Sequence, residues 1–121
     1  MALFEIALAT MMAQAPAMAS AHVAQDALLE GRNHAAIEQI ENSTELDADD
    51  PARLINLGIA RARTGDYDAA RALFQAVIAH KERIELETAE GDWVDSRRLA
   101  HKAISMLDRG EFERYFALSL R

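Results

Sequence analysis

The residues best suited to proton transfer or metal ligation in this sequence are four histidines, His22, His34, His80 and His101. A histidine becomes a ligand or a general base when a second histidine or a carboxylate stands at helical spacing from it, as in H-E-x-x-H. None of the four has an i, i+4 partner in a motif of that kind. They read as surface or interhelical side chains. Cysteine is absent, which excludes disulfides, thiolate metal sites and thiol nucleophiles. No G-x-S-x-G, P-loop or Gly-rich dinucleotide turn occurs. The carboxylates are plentiful, and one run (Glu38, Glu41, Glu45, Asp47, Asp49, Asp50) has no base among its members. Such a run is either a solvated helix end and loop or a docking patch for a basic partner. The expectation is a protein that is not an enzyme, with no catalytic residues, no metal and no cofactor.

The elements that would carry these side chains follow from composition. Half of the 121 residues are hydrophobic but only 6% are aromatic, with Gly 5 and Pro 2. Much of the apolar half is Ala, the best helix former, and tight turns are scarce, so the fold class is all-α with closely packed helices. The formal net charge is −7. A nucleic-acid binder needs a basic face for phosphates, and an anionic membrane attracts the same chemistry. Neither is an expected partner, and stable membrane insertion is not expected.

Residues 1–21 form a short apolar run, then Pro16, then small residues at A-x-A spacing (Ala17 and Ala19, Ala19 and Ala21). This is the pattern of a signal peptide with its cleavage site, which would place the chain in the periplasm or outside the cell. Glu5 inside the run and the lack of a nearby Lys or Arg depart from that pattern. The alternative is an N-terminal helix of a cytoplasmic chain, with Leu3, Phe4, Ala7, Leu8 and Met11 at helical spacing. The run is too short and small-sided for a membrane span.

Self-comparison shows a repeat. At an offset of 34, Gly31 falls on Gly65, Ala35 and Ala36 on Ala69 and Ala70, Ile40 on Phe74, and Val23 and Ala24 on Leu57 and Gly58. At an offset of 45, Gly110-Glu111-Phe112 falls on Gly65-Asp66-Tyr67, and Leu99 and Ala103 on Leu54 and Gly58. Leu54, Leu57, Gly58 and Arg61 share one helical stripe. Ala69, Leu73 and Val77, with Ala70, Phe74 and Ile78, line the next helix. Gly58 and Ala70 lack bulk, so the two helices can approach and Phe74 can insert. Asp50-Pro51 reads as a cap and first helical residue, and Gly65 as a helix stop. The expected helices are 17–30, 33–45, 51–64, 67–83, 96–109 and 111–119.

Residues 51–82, with Leu54, Leu57, Gly58, Gly65, Asp66, Tyr67, Ala70 and Phe74 in order, resemble a tetratricopeptide repeat. The chain departs from that family at Arg61, Val77 and Glu82. The resemblance implies antiparallel helix hairpins stacked as an α–α superhelix over 17–121, in units of about 17–50, 51–82 and 96–121. The repeat core would be Leu54, Leu57, Gly58, Tyr67, Ala70 and Phe74. It also implies a concave groove lined by the first helix of each pair. Carried over by position, this gives Ile55, Asn56, Ile59, Ala62 and Arg63, then Arg97, Ala100, His101 and Ile104, with His22, Gln25 and Leu29 from the first unit. Paired Lys and Asn of the carboxylate-clamp type are absent. On this reading Arg63→Glu weakens ligand binding and leaves stability nearly unchanged.

Residues 83–95 are inserted between the second and third units. Ile84, Leu86 and Thr88 alternate with Glu85 and Glu87, and Glu90-Gly91-Asp92 is a turn signal, so a short β-hairpin is expected near 84–94. Trp93, the single tryptophan, either packs inward and caps the second repeat or is presented, with a free strand edge, to a partner. The expected function is a protein-protein interaction module that binds a peptide or protein partner. The alternative is a structural protein that self-associates as a homo-oligomer through its terminal helices, the last carrying Phe112, Tyr115, Phe116 and Leu118.

Overall fold

The computed structural model describes residues 24–44, 46–88 and 90–114. Helix α1 is described over residues 24–29. It is followed by α2 (Asn33–Asn42), α3 (Pro51–Arg63), α4 (Tyr67–Ala79), β1 (Glu85–Glu87), β2 (Trp93–Asp95) and α5 (Ser96–Asp108). The described chain is mostly helical, with one two-stranded antiparallel sheet at the inserted hairpin. The segment 1–21, His22, and Tyr115, Phe116 and Leu118 lie outside the described residues. No described helix is long and apolar enough to cross a membrane.

Three helix ends are built the same way. Arg32 N–H donates to Ala27 O, Asp66 N–H to Arg61 O and Glu111 N–H to Met106 O, at 2.8, 2.9 and 3.0 Å. The preceding glycines, Gly31, Gly65 and Gly110, donate to Leu28, Ala62 and Leu107 O. This is the Schellman arrangement, which needs a left-handed residue at its corner, and Gly65 has φ 87°. The bonds recur at the sequence offsets of 34 and 45, so the same glycine corner closes all three helices. Two helices end earlier than their apolar pattern. At the end of α4, His80 turns extended (φ −61°, ψ 137°) and its Nδ1 accepts the Glu82 N–H at 3.1 Å. At the end of α2, Ser43 turns extended (φ −74°, ψ 132°).

Two aspartates start helices. Asp50 accepts the N–H groups of Ala52 and Arg53 ahead of α3, and Asp95 those of Arg97 and Arg98 ahead of α5. Their environments push their pKa values apart. Burial raises that of Asp50 and outweighs the cap bonds from Arg53 and Ala52. For Asp95, desolvation also acts upward, but the Arg97 N–H, the Arg83 side chain and the Arg98 N–H outweigh it and hold the carboxyl low. A lowered native pKa means that stabilisation is complete above the unfolded value and is lost as pH falls through the native value. A raised one has the opposite sign, so acidification relieves the cost of the buried Asp50 charge. Asn keeps a capping oxygen and cannot titrate. Between about pH 5 and 3, Asp95→Asn therefore flattens the fall in urea midpoint and Asp50→Asn steepens it. Wild-type slopes in both variants would refute the assignment.

The core is continuous from α1 to the hairpin. Ala27, Leu28, Ala36, Ile55, Ile59, Ala70, Phe74, Val77, Leu86, Ala103, Met106 and Phe112 are each at most 1% exposed. Helix α3 packs most extensively on α4 and also touches α2 and α5, and α4 packs on α5. Leu54, Leu57, Gly58, Ala70 and Phe74 are buried, whereas Tyr67 is only half-buried at the margin. The α3–α4 approach is so close that a Cβ on Gly58 would lie 2.6 Å from Cε1 of Phe74.

Candidate functional site

The structure corrects the groove carried over from the repeat family. Ile55 and Ile59 are 0% exposed, Asn56 4% and Arg63 2%. None of the four lines an open surface. The cause is the central position of α3. Eleven of its 13 residues are buried, because helices pack on several sides of it. In the third unit Arg97 is half-buried, Ala100 buried and Ile104 half-buried, leaving only His101 exposed.

Arg63 and Arg97 have structural partners instead. Arg63 Nη1 donates to Leu28 O at 2.9 Å and to Asn33 Oδ1 at 3.4 Å. Arg97 Nη2 donates to His80 O at 2.6 Å, and Arg53 Nη1 to Ile40 O at 2.6 Å and Ser43 O at 3.2 Å. Each guanidinium thus sits at the C-terminal end of another helix, α1, α4 or α2, where the last carbonyls lack intrahelical i+4 donors and the dipole is negative. Helices α2 and α4 carry no base in their own last turns. The neutralising charge is imported from α3 and α5. Sequence reading missed this role because partners 10 to 35 positions away leave no local signal.

The acidic run dissolves into separate tasks. Glu41 pairs with Arg61 of α3 at 2.7 Å, Asp49 lies 3.3 Å from His80 Nε2, and Asp50 caps α3. Arg61, at the position where the repeat family has a bulky side chain, therefore bridges α2 and α3.

Of the groove candidates, Leu29 of α1, 49% exposed, and His101 stay accessible and Gln25 is half-buried; the other accessible feature is the hairpin. Leu86 pairs with Val94, flanked by Glu85 with Asp95 and Glu87 with Trp93. Leu86 is 1% exposed and Trp93 51%, so Leu86 holds the hairpin to the helices and Trp93 faces outward. Cross-strand bonds run from Ser96 N–H to Ile84 O and from Thr88 N–H to Asp92 O, both 2.8 Å. Antiparallel bonding alternates, so the backbone groups of Glu85 and Glu87 point away from β2. Their side chains share the outer face with Trp93, and Glu87 and Trp93 form a close, non-hydrogen-bonded pair. Among the described residues no third strand pairs with either edge.

On the opposite face, an open cleft of about 220 Å³ between the tip of the hairpin and α5 is lined by Thr88, Asp92, Val94, Arg98, Leu99 and Lys102. Among the described residues no group of three or more His, Asp or Glu is placed to hold a metal ion.

Comparison with protein-family models, with curated proteins and with solved structures finds no match for this chain.

Proposed function

We propose that this chain is a protein-interaction module whose helix pairs stack in the tetratricopeptide manner and whose inserted hairpin receives an extended segment of a partner. The recurrent glycine corners at offsets of 34 and 45, and the Gly58–Phe74 contact, support the stacking. One observation carries the binding site: Trp93 is half-exposed beside a strand edge that no described residue pairs with, while Ile55, Asn56, Ile59 and Arg63 at the centre of the expected groove are buried. An added strand would satisfy the outward backbone groups of Glu85 and Glu87. Trp93 would cover an alternate side chain. The paired Glu87 and nearby Glu85, on a chain of net charge −7, select Lys or Arg at that position through the carboxylates and the indole face.

The single tryptophan makes the test direct. Extended peptides with alternating basic residues should shift and quench Trp93 emission in a saturable, salt-sensitive way, and acidic peptides of the same length should not. Trp93→Ala should leave stability within about 0.5 kcal/mol, because the ring is half-exposed. It should weaken the selected peptide at least about tenfold, as loss of an aromatic anchor does. Peptide affinity that survives Trp93→Ala would dismiss the hairpin as the docking site.

Self-association through the same edge is disfavoured by the side chains. Antiparallel pairing of two β1 strands brings Glu85 and Glu87 of both copies together, and like charges across strands are destabilising. Phe112, a candidate for a terminal-helix interface, is 1% exposed and already part of the core. A mass that rises with concentration in light scattering would restore the oligomer reading.

A further inference from the structure

We infer, on the docking reading above, that Arg83 sets the register of the bound segment: it leaves Glu87 to select Lys or Arg and denies that selection to Glu85. On the outer face Glu85 stands opposite Asp95, and Glu87 opposite Trp93. A strand added at the β1 edge would bond to the backbone of Glu85 and of Glu87. Two of its side chains, two positions apart, would then lie beside the two carboxylates. Among the described residues neither Glu85 nor Glu87 is held in an ion pair or a side-chain hydrogen bond. Taken alone, both positions would attract a cation.

Arg83 makes them unequal. Its guanidinium closes on one oxygen of Asp95 from two nitrogens, Nε at 2.8 Å and Nη2 at 2.7 Å. Asp95 also accepts the N–H groups of Arg97 and Arg98, so its carboxylate is occupied before a partner arrives. The Arg83 side chain is 62% exposed, which carries its charge to the surface at the root of the hairpin. A lysine set beside Glu85 is attracted by that carboxylate and repelled by Arg83, and at an exposed site the two effects are of similar size. The tip end differs. Glu87 has Trp93 as its close cross-strand neighbour, so a cation there meets a carboxylate and an indole face together. The segment that fits is extended, with one Lys or Arg at the tip end and an uncharged residue two positions away at the root end.

The test uses the full chain, Trp93 emission and three extended peptides of equal length, carrying no lysine, one lysine, or two lysines two positions apart. On wild type the first lysine should supply most of the gain in affinity. The gain from the second lysine should be about threefold to fivefold larger on Arg83→Gln than on wild type, the worth of an exposed charge pair. Arg83→Lys keeps the charge and should behave as wild type. Adding Glu85→Gln to Arg83→Gln should abolish the enlarged gain. The hairpin root survives these changes, because Ser96 N–H donates to Ile84 O at 2.8 Å and Ser96 Oγ accepts the Ile84 N–H at 3.3 Å. Equal gains from the second lysine on wild type and Arg83→Gln, with binding that still depends on Trp93, would overturn the role of Arg83 alone. Absence of binding by all three peptides would overturn the docking reading and the register with it.

Discussion

Replacing Phe74 with Ala should remove about 3–5 kcal/mol of stability, measured as a lowered urea midpoint at constant slope. For a domain with about 5–15 kcal/mol in total, that is a large share of the margin. The ring is 0% exposed and fills the gap that Gly58 leaves on α3. Ala70 and Val77 on the same helix are also fully buried, so truncation would leave the cavity inside the core. The contact also predicts the reciprocal change. In Gly58→Ala the new methyl would lie 2.6, 2.9 and 3.0 Å from three ring atoms of Phe74, a clash costing about 1–3 kcal/mol. Phe74→Leu withdraws those ring atoms. The double variant Gly58→Ala with Phe74→Leu should therefore be more stable than the sum of the single effects allows. Strict additivity would show that the two residues do not share a contact.

Arg63→Glu should cost a further large amount, about 3–5 kcal/mol, because it reverses a buried charge that holds helix carbonyls. This replaces the sequence-based expectation that the substitution spares stability. The guanidinium bonds Leu28 O, at the close of α1, and Asn33 Oδ1, at the start of α2. A carboxylate there meets the negative end of α1 instead of neutralising it. Arg63→Met separates packing from charge, since an apolar side chain of similar length keeps the stem contacts. It should be milder than Arg63→Glu. Hydrogen exchange should show amides 24–30 opening first in Arg63→Glu, because the latch ties that segment to α3. An unchanged midpoint for Arg63→Glu would mean that α1 needs no such latch.

Much of the architecture was legible locally. Asp50-Pro51 announced the start of α3, and the glycines at 31, 65 and 110 marked helix ends, because capping and left-handed corners depend on neighbouring residues alone. The alternation of Ile84, Leu86 and Thr88 gave the hairpin, since strand faces are set by a period of two. The same alternation put Leu86 on one face and Glu85 and Glu87 on the other. It did not say which face the helices would cover.

That choice was tertiary, and so was the fate of the groove. Ile55, Asn56, Ile59 and Arg63 occupy one face of α3, and nothing in their order distinguishes an open concave surface from a buried seam. Packing of α2, α4 and α5 around α3 decided it. The sequence by itself determined where helices begin, where they end and which residues repeat, because those depend on short-range backbone chemistry. Only the assembled structure decided which charges cap which helices and which faces stay open, because such contacts join residues far apart in the chain and depend on how the helices pack.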